Sequence, residues 1–516
     1  MEALRSTVNE HFKGAQPFEI VIQVTLTVIF VVVATRILTN WKETKTKVTK
    51  LIFGSLKKLP GVQGQVEKEK QSLKKQIAKG LDIGEEVVRS FPEKPAAHEE
   101  ILRRLKTMQQ KEEPHWKNGK LSGCVYLGEA KHTELMNQAY SMFSVANSLH
   151  PDVFPAVRKM EGEIIRWTAD MMNGDSNVHG AVTSGGTESI LMAVKAHRDY
   201  KKFEAPEMIV PVTAHAAFDK AAGYFGIKII HIELNPNTLT VDVAAVKKAI
   251  TKNTIMIVGS APEYAHGIVD PIPQLAALAK QYNVGFHTDA CLGGYVLPWV
   301  QKQGLDGGKL PKFDFSVEGV TSMSVDTHKY GYAAKGTSVV LFRSAELRRA
   351  MYFVQPDWPG GMYASPTISG SRPGGLVACC WASLMAMGQE GFKQKAKEMW
   401  EAAQRIKEGI KQIPGLHLVG DSYSTVVAFG SNEINVFKVT DAMKAKGWSL
   451  NNLQRPISVH ICVTYRTVAL VDTFLSELKD SVKTIQANPN AFPDGTAALY
   501  GMSASFPDRV TIAEMG

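Results

Sequence analysis

Between Ile20 and Thr35 the chain carries no charged residue: IVIQVTLTVIFVVVAT. With Phe18 before it and Ile37-Leu38 after it, the run reaches the roughly 20 apolar residues that cross a bilayer core. Its β-branched richness would suit a buried strand, but a strand of that length is rare in a soluble fold. The pattern therefore predicts a transmembrane helix at 18–38 behind a short N-terminus at 1–17. A cleaved signal peptide is the alternative. Its apolar region would be shorter and end in small residues, whereas Arg36 and Trp41-Lys42 follow here.

Beyond residue 95 the apolar positions fall into short periodic runs. An amphipathic helix is expected at 95–112, a loop-rich stretch at 113–155 and a helix at 156–172. From about residue 180 two periods alternate. Runs at 208–213 (MIVPVT), 228–234, 254–260 (TIMIVGS), 284–290, 315–326 and 337–343 read as strands. Helices are expected between them at 188–202, 241–250 and 271–283, the last with Pro in its first turn. Strands alternating with helices predict a mostly parallel, covered sheet. A long helical segment at 375–412 follows. LHLVG, STVVAFGS, a helix at 439–447, SVHICVT and a helix at 467–486 then read as a small α+β domain. The expected organisation is a basic linker and N-terminal segment at 39–155, a large α/β domain at 156–374, a small C-terminal domain at 375–486 and a tail at 487–516.

Composition narrows the class. A chain of 516 residues with 44% hydrophobic and 21% charged residues is an ordinary globular protein of two or three domains. It is not disordered, collagenous or polytopic. Five cysteines, none in CxxC spacing, argue against a disulfide scaffold or a structural zinc site. The adjacent pair Cys379-Cys380 suits a buried helix. The net charge is +9, yet residues 41–80 hold eleven Lys against Glu43, Glu67 and Glu69, so that segment carries most of the excess. A near-neutral body argues against a nucleic-acid groove. Lys42, Lys45, Lys47, Lys50, Lys57 and Lys58 follow the apolar run, which puts the body on the cytosolic side. The absence of any N-x-S/T sequon agrees with that side.

Chemistry concentrates at four strand-to-helix junctions, where ligands of open α/β sheets bind. Lys329 stands in SVDTHKYG after a strand-like run. Such a lysine suits a Schiff base with pyridoxal phosphate, with burial expected to depress its pKa and free the amine. Asp289 ends the strand in HTDACLGG, where a buried carboxylate could keep a pyridine nitrogen protonated. Gly185, Gly186 and Thr187 open a helix whose N-terminus could meet a phosphate. His215, in VTAHAAFDKA, could stack on a ring. Each has a plainer reading alone: a surface HK pair, a turn-capping Asp, a common Gly-rich turn, a structural His.

Taken together, GTESILMAVKAHRD, TAHAAFDKA, HTDACLGG and SVDTHKYGYAAKG resemble the group II pyridoxal-phosphate decarboxylase family of fold type I. The resemblance covers about residues 95–485. NSLHPDVFP, APEYAHGIVDPI, YASPTISGSRPGG and the N-terminal run resemble the branch of that family that cleaves phosphorylated sphingoid bases. It implies an aspartate aminotransferase-like large domain that binds pyridoxal phosphate over a mostly parallel sheet. It implies that Lys329 bonds the cofactor, Asp289 pairs with its ring nitrogen and His215 stacks on it. Gly185, Gly186 and Thr187, with His328, would hold the cofactor phosphate. The turn Gly370-Ser371-Arg372 would reach the neighbouring subunit's site, Gly370 and Ser371 towards cofactor and Arg372 towards substrate, so a homodimer is expected. Tyr126, His150 and Lys335 would hold the substrate phosphate, and Tyr264 would act near the cleaved bond, although the sequence varies around its PEYAH turn. The expected activity is retro-aldol cleavage between carbons 2 and 3, giving a long-chain aldehyde and phosphoethanolamine, by an enzyme anchored in the endoplasmic reticulum membrane and facing the cytosol. An amino-acid decarboxylase is the main alternative; an aminotransferase and a non-catalytic scaffold stand further off, since Lys329 and Asp289 are both present.

Overall fold

The computed structural model describes residues 87–492, with Gly64, Glu67, Lys68 and Gln71 before them. The apolar run at 18–38 and most of the tail at 487–516 lie outside the described residues. Among the described residues no helix is long and apolar enough to cross a membrane. The described residues from Gln109 onward form one compact unit, and those before it belong to another. Helix α1 (His98–Trp116) carries Glu99 and Glu100 in its first turn, where the helix dipole favours carboxylates.

Seven strands form the main sheet: β1 (His179–Thr183), β2 (Glu207–Pro211), β3 (Lys228–Ile232), β4 (Thr254–Ser260), β5 (Gly285–Asp289), β6 (Ser322–Val325) and β7 (Ser338–Phe342). Their order is β1-β7-β6-β5-β4-β2-β3. Neighbours from β6 to β3 are parallel, and β7 runs antiparallel to both β1 and β6. The sheet is therefore mostly parallel, with one reversed strand near its edge. Strands β2 and β4 to β7 are buried at every position. Burial on both faces is why they read as unbroken apolar runs. Edge strand β3 is buried only at Ile232.

The covering helices are α2 (Ala130–Phe143), α3 (Pro155–Met171), α4 (Gly186–Lys201), α5 (Ala217–Phe225), α6 (Val243–Ala249), α7 (Ile272–Gln281), α8 (Leu297–Lys302) and α9 (Ala345–Met351). Asp242 caps α6 through the N–H groups of Ala244 and Ala245, and Gly226 ends α5 with a left-handed turn. Ile190, Leu191 and Val194 of α4 join Phe218 of α5 and Met208, Val210, Met256 and Val258 of the sheet in one core cluster. A hairpin, β8 (Phe353–Gln355) and β9 (Tyr363–Ser365), precedes the long helix α10 (Gly374–Lys411). That helix buries Cys379 and Cys380 and breaks at Gly388, whose φ is 55°. A second, antiparallel sheet has the order β10-β11-β13-β12. Its strands are β10 (His417–Leu418), β11 (Val426–Gly430), β12 (Asn451–Leu453) and β13 (Ser458–Cys462), with α11 (Val436–Ala445) and α12 (Val471–Ala487) beside them.

Two expectations from the sequence need correction. The strand expected at 315–326 is only β6, at its C-terminal end. The Arg343 guanidinium donates to the carbonyls of Phe315, Val317 and Val320, so this backbone is satisfied without a strand ladder. The stretch expected to be loop-rich at 113–155 contains α2. Its one buried residue is His132, whose Nε2 meets the Tyr332 carbonyl and the Ser383 hydroxyl. A helix anchored by a histidine gives little apolar periodicity.

Candidate active site

Strands β2, β4, β5 and β6 point their C-terminal ends at one rim, and β1, antiparallel to β7, points the same way. The chain leaves that rim as Ser184-Gly185, as Thr213 to His215, as Pro262 to Tyr264, as Ala290-Cys291 and as Asp326 to Lys329. A cavity of about 370 Å³ opens there, lined among others by Tyr126, His215, Tyr264, Asp289, Cys291 and Lys329. That volume lies in the roughly 300–1,000 Å³ range of small-molecule sites.

The Lys329 loop is tightly built. A β-carbon on Gly331 would run into the Thr327 carbonyl. The buried Tyr330 hydroxyl donates to the Val463 carbonyl at 2.7 Å and lies 2.6 Å from Thr425 Oγ1, which pins the loop to the second sheet. Lys329 Nζ lies 2.9 Å from Asp326 Oδ2, and Asp326 is 2% exposed. This corrects the expectation of a depressed lysine. Burial does work against the ammonium, but the Asp326 carboxylate, with Cys291 and Asp289, outweighs it and raises the amine well above its usual range. His328 donates from Nδ1 to the Thr337 carbonyl at 2.5 Å, which leaves Nε2 3.7 Å from Asp326.

Asp289 is buried at the end of β5. Its Oδ1 accepts the Cys291 N–H and the Ser324 hydroxyl, both at 3.0 Å. Burial pushes this carboxyl up, but the His215 ring and the Cys291 N–H hold it below the usual range. His215 Nδ1 accepts the Ala217 N–H at 3.1 Å, which orients the ring at the start of α5.

Gly185, Gly186 and Thr187 form the N-terminal turn of α4. Glu188 closes that turn: Oε2 accepts the Ser184 N–H at 2.6 Å, and Oε1 accepts the Ile368 N–H at 3.1 Å. A β-carbon on Gly186 would sit 2.8 Å from both Asp326 oxygens and 2.9 Å from Cys291 Sγ, and one on Gly185 would meet His328. Among the described residues, the buried Asp326 Oδ1 has no hydrogen-bond partner. A cradle that a side chain would fill, beside a lysine amine and a buried carboxylate, fits pyridoxal phosphate.

Tyr126 is buried edge-on to Tyr330, with centroids 4.8 Å apart, and burial raises its hydroxyl. Lys335 Nζ lies 4.9 Å from the Tyr126 ring and donates to the His328 carbonyl at 3.2 Å. Burial and the Lys329 charge lower its amine. An adjoining cavity of about 450 Å³ is lined by Tyr126, Lys329 and Lys335 together with apolar side chains. Tyr264 is half exposed, and its ring meets His460 edge-on at 4.8 Å. The buried Glu263 carboxylate accepts the N–H groups of Ala265, His266 and Ile268, which fixes the Tyr264 turn.

Not every expected residue lines the Lys329 cavity. Gly185, Gly186, Thr187, His328 and Lys335 are outside its lining, though Gly186 and His328 stand against Asp326 and Lys335 meets the His328 carbonyl; His150, Gly370, Ser371 and Arg372 stand apart from it. These last four group around Asn147, whose Nδ2 donates to Ser371 Oγ and whose Oδ1 accepts the Arg372 N–H, each at 3.0 Å. The His150 N–H bonds the Asn147 carbonyl, and Arg372 pairs with Glu161. Conversely, sequence reasoning passed over Asp326, Glu188, Ser324 and His287. The signal for Asp326 was present, because it stands three positions before Lys329.

Residues 86–432 match the model of the pyridoxal-dependent decarboxylase conserved domain. The chain is 50% identical over 505 residues to a sphingosine-1-phosphate lyase of Dictyostelium discoideum, covering 97% of this chain and 94% of that protein. It is 44% identical over 485 residues to sphingosine-1-phosphate lyase 1 of Rattus norvegicus, covering 92% and 84%. Among solved structures, a sphingosine-1-phosphate lyase of Burkholderia pseudomallei superposes with a TM-score of 0.76 at 38% identity, over 82% of this chain and 98% of that one. A glutamate decarboxylase of Lactobacillus brevis shares the fold, with a TM-score of 0.67 at 18% identity over 77% and 95%.

Proposed function

We propose, from the premise that the chain belongs to the pyridoxal-dependent decarboxylase family and within it to the sphingosine-1-phosphate lyases, how its residues divide the work of that reaction. The enzyme cleaves phosphorylated sphingoid bases between carbons 2 and 3, releasing a long-chain aldehyde and phosphoethanolamine. The observation that carries this reading is the meeting of Lys329, Asp326 and Asp289 at one rim of the sheet, in or beside one cavity. Bound pyridoxal phosphate supplies the electron sink for the pair left at carbon 2.

The protein's own groups do the rest. Lys329 would hold the cofactor through its side-chain amine. Asp289 would keep a proton on the ring nitrogen, and His215 would lie against the ring. The N–H groups of Gly185, Gly186 and Thr187, with His328, would take the cofactor phosphate. Tyr126 and Lys335 hold the substrate phosphate by charge-assisted hydrogen bonds. The 3-hydroxyl gives up a proton as the bond breaks and carbon 2 regains one before product leaves; Lys329, His150 and Tyr264 are the proton carriers this reading offers.

The same reading makes the functional unit a homodimer, since His150 and the turn 370–372 stand apart from the Lys329 cavity of their own chain. They would complete the partner's site, Gly370 and Ser371 at the cofactor, Arg372 and His150 at the substrate. It also makes 18–38 a membrane anchor in the endoplasmic reticulum with the body facing the cytosol, supported by the uncharged run and the lysines after it. An anchor beside the bilayer shortens the path of a lipid substrate. Removing residues 1–40 is expected to give a soluble dimer that still turns over a detergent-dispersed substrate.

The decisive assay incubates the holoenzyme with a phosphorylated sphingoid base and measures aldehyde and phosphoethanolamine, alongside carbon dioxide release from amino acids. Equal amounts of the first two and no carbon dioxide are expected. Carbon dioxide without aldehyde would reverse the reading. No observation favours that decarboxylase alternative, because the decarboxylase neighbours, at 14–18% identity, share the fold alone.

A further inference from the structure

We propose that Ser324 is a positioning residue: with His287 it fixes the direction and the charge of the Asp289 carboxylate, and through it the proton on the cofactor's ring nitrogen. This rests on the reading of Asp289 as the partner of that nitrogen.

Four side chains on two adjacent strands form an unbroken buried chain. His287 and Asp289 are two apart on β5 and so face the same side of the sheet, and Ser322 and Ser324 do the same on β6. The register sets His287 opposite Ser322 and Asp289 opposite Ser324. Ser322 Oγ lies 2.8 Å from His287 Nδ1, His287 Nε2 lies 3.1 Å from Ser324 Oγ, and Ser324 Oγ lies 3.0 Å from Asp289 Oδ1. The two serines and the histidine have no exposed surface, and Asp289 is 7% exposed.

The proton positions follow from chemistry. An ionised carboxylate cannot donate, so the single Ser324 hydroxyl proton points at Asp289. Ser324 can then only accept from His287, which places the imidazole proton on Nε2. Burial keeps this imidazole neutral, so Nδ1 carries a lone pair and accepts from the Ser322 hydroxyl. Every donor in the chain is thus directed towards Asp289. The Phe218 ring meets His287 edge-on at 5.9 Å and adds no competing hydrogen bond.

The consequence concerns a shared proton. Ser324 and the Cys291 N–H both bond Oδ1, leaving Oδ2 outside both bonds. A hydroxyl bond to the ionised form stabilises it against protonation. With that bond the proton between carboxylate and ring nitrogen stays on nitrogen. Without it the carboxylate becomes more basic, and the proton shifts towards oxygen. Beside Asp289 the titratable groups lining the cavity include His215, Cys291, Lys329, Glu263, Tyr126 and Tyr264; the Cys291 thiol also meets Ser324, and His287→Phe, which leaves both in place, separates its influence from that on Asp289.

The test loads wild type, Ser324→Ala, His287→Phe and Asp289→Asn with pyridoxal phosphate carrying nitrogen-15 in its ring, and reads the nitrogen chemical shift without substrate between pH 7 and 9. Wild type should show a protonated nitrogen and Asp289→Asn an unprotonated one. Ser324→Ala should move towards the unprotonated value and turn over at least tenfold more slowly, with KM changed less than threefold. His287→Phe keeps a ring of similar size but frees the Ser324 hydroxyl, and should move the same way by less. If Asp289→Asn shifts while both other variants keep the wild-type signal, Ser324 only packs and the proposal is overturned. If no variant shifts, Asp289 does not pair with the ring nitrogen, and the reading beneath the proposal falls with it.

Discussion

Lys329 and Asp326 are three residues apart in the chain, and their Nζ and Oδ2 atoms are 2.9 Å apart in space. A lysine this buried would ordinarily lose its proton easily. Its neighbour reverses that, so the protein without cofactor holds a closed ion pair. Pairing raises the lysine, so its stabilisation is fully present below the unfolded value of about 10.4 and fades only as pH rises beyond it. Lys329→Ala should therefore lose turnover and the cofactor's visible absorption band, and leave Asp326 buried and unpaired. Removing one partner of a fully buried pair costs about 3–5 kcal/mol; Lys329 is 24% exposed, so a loss of about 1–3 kcal/mol is expected in urea unfolding of the cofactor-free protein. An unchanged band would remove Lys329 from the chemistry.

Gly186 is tested by adding one methyl group. In Gly186→Ala the new carbon meets Asp326 and Cys291 Sγ inside ordinary contact distance. Overpacking of this kind costs about 1–3 kcal/mol. Titration of the variant with pyridoxal phosphate should show at least tenfold weaker binding, with the substitution felt less in the unfolding of the rest of the sheet. Wild-type affinity would mean that the turn does not contact the cofactor.

Acid should destabilise the fold well before the exposed carboxylates titrate. Burial pulls His197 down to about 4, His287 to about 3 and His460 to about 4. Unfolded histidines take up protons below about pH 6.5. Between pH 6 and 5 the unfolded chain therefore holds three protons that the folded chain refuses. Burial also pushes Asp270 up to about 7, so the folded chain keeps one proton there that the unfolded chain releases. The net excess of somewhat under two protons on the unfolded state predicts a loss of roughly 2 kcal/mol as pH falls from 6 to 5. Urea unfolding at pH 7, 6 and 5 measures it. A flat profile would contradict the neutral, buried histidines.

Lys335 separates substrate binding from cofactor binding. It lies over Tyr126, and its amine reaches the His328 carbonyl rather than a carboxylate. Lys335→Ala should keep the visible band while losing a charge-assisted contact of roughly 1.5–3 kcal/mol, a ten- to hundredfold loss on phosphorylated substrate. Phosphoethanolamine binding should weaken in parallel. Wild-type kinetics would make Lys335 an ordinary loop lysine.

The sequence disclosed the sheet more fully than the cavity. Strands such as β4 and β5 are buried on both faces, and an unbroken apolar run is what such burial writes into a chain. Helix α2 was hidden because its inward anchor is His132, which reads as polar. Lys329, Asp289, His215 and Gly186 could be found because each stands at a strand-to-helix junction, and that position is visible in the pattern. The Asp326 pairing and the Ser322-His287-Ser324-Asp289 chain depend on which strands are neighbours, and strand order is not written in any one segment. The expected fall in the Lys329 pKa failed for a related reason: burial alone gives the direction of one influence, and the winning influence came from a carboxylate three residues away.

Among the described residues strand β1 has a single neighbour, β7, and about 150 residues separate the two in the chain. On a ribosome adding roughly 5–20 residues per second, β1 emerges between about 8 and 30 seconds before the strand that will hold it. During that interval both its edges are unpaired, the state most open to association with other chains. The Gly185-Gly186 turn hangs from its end, so this turn against Asp326, made before Asp289 and Lys329, is fixed only after both of them have been made.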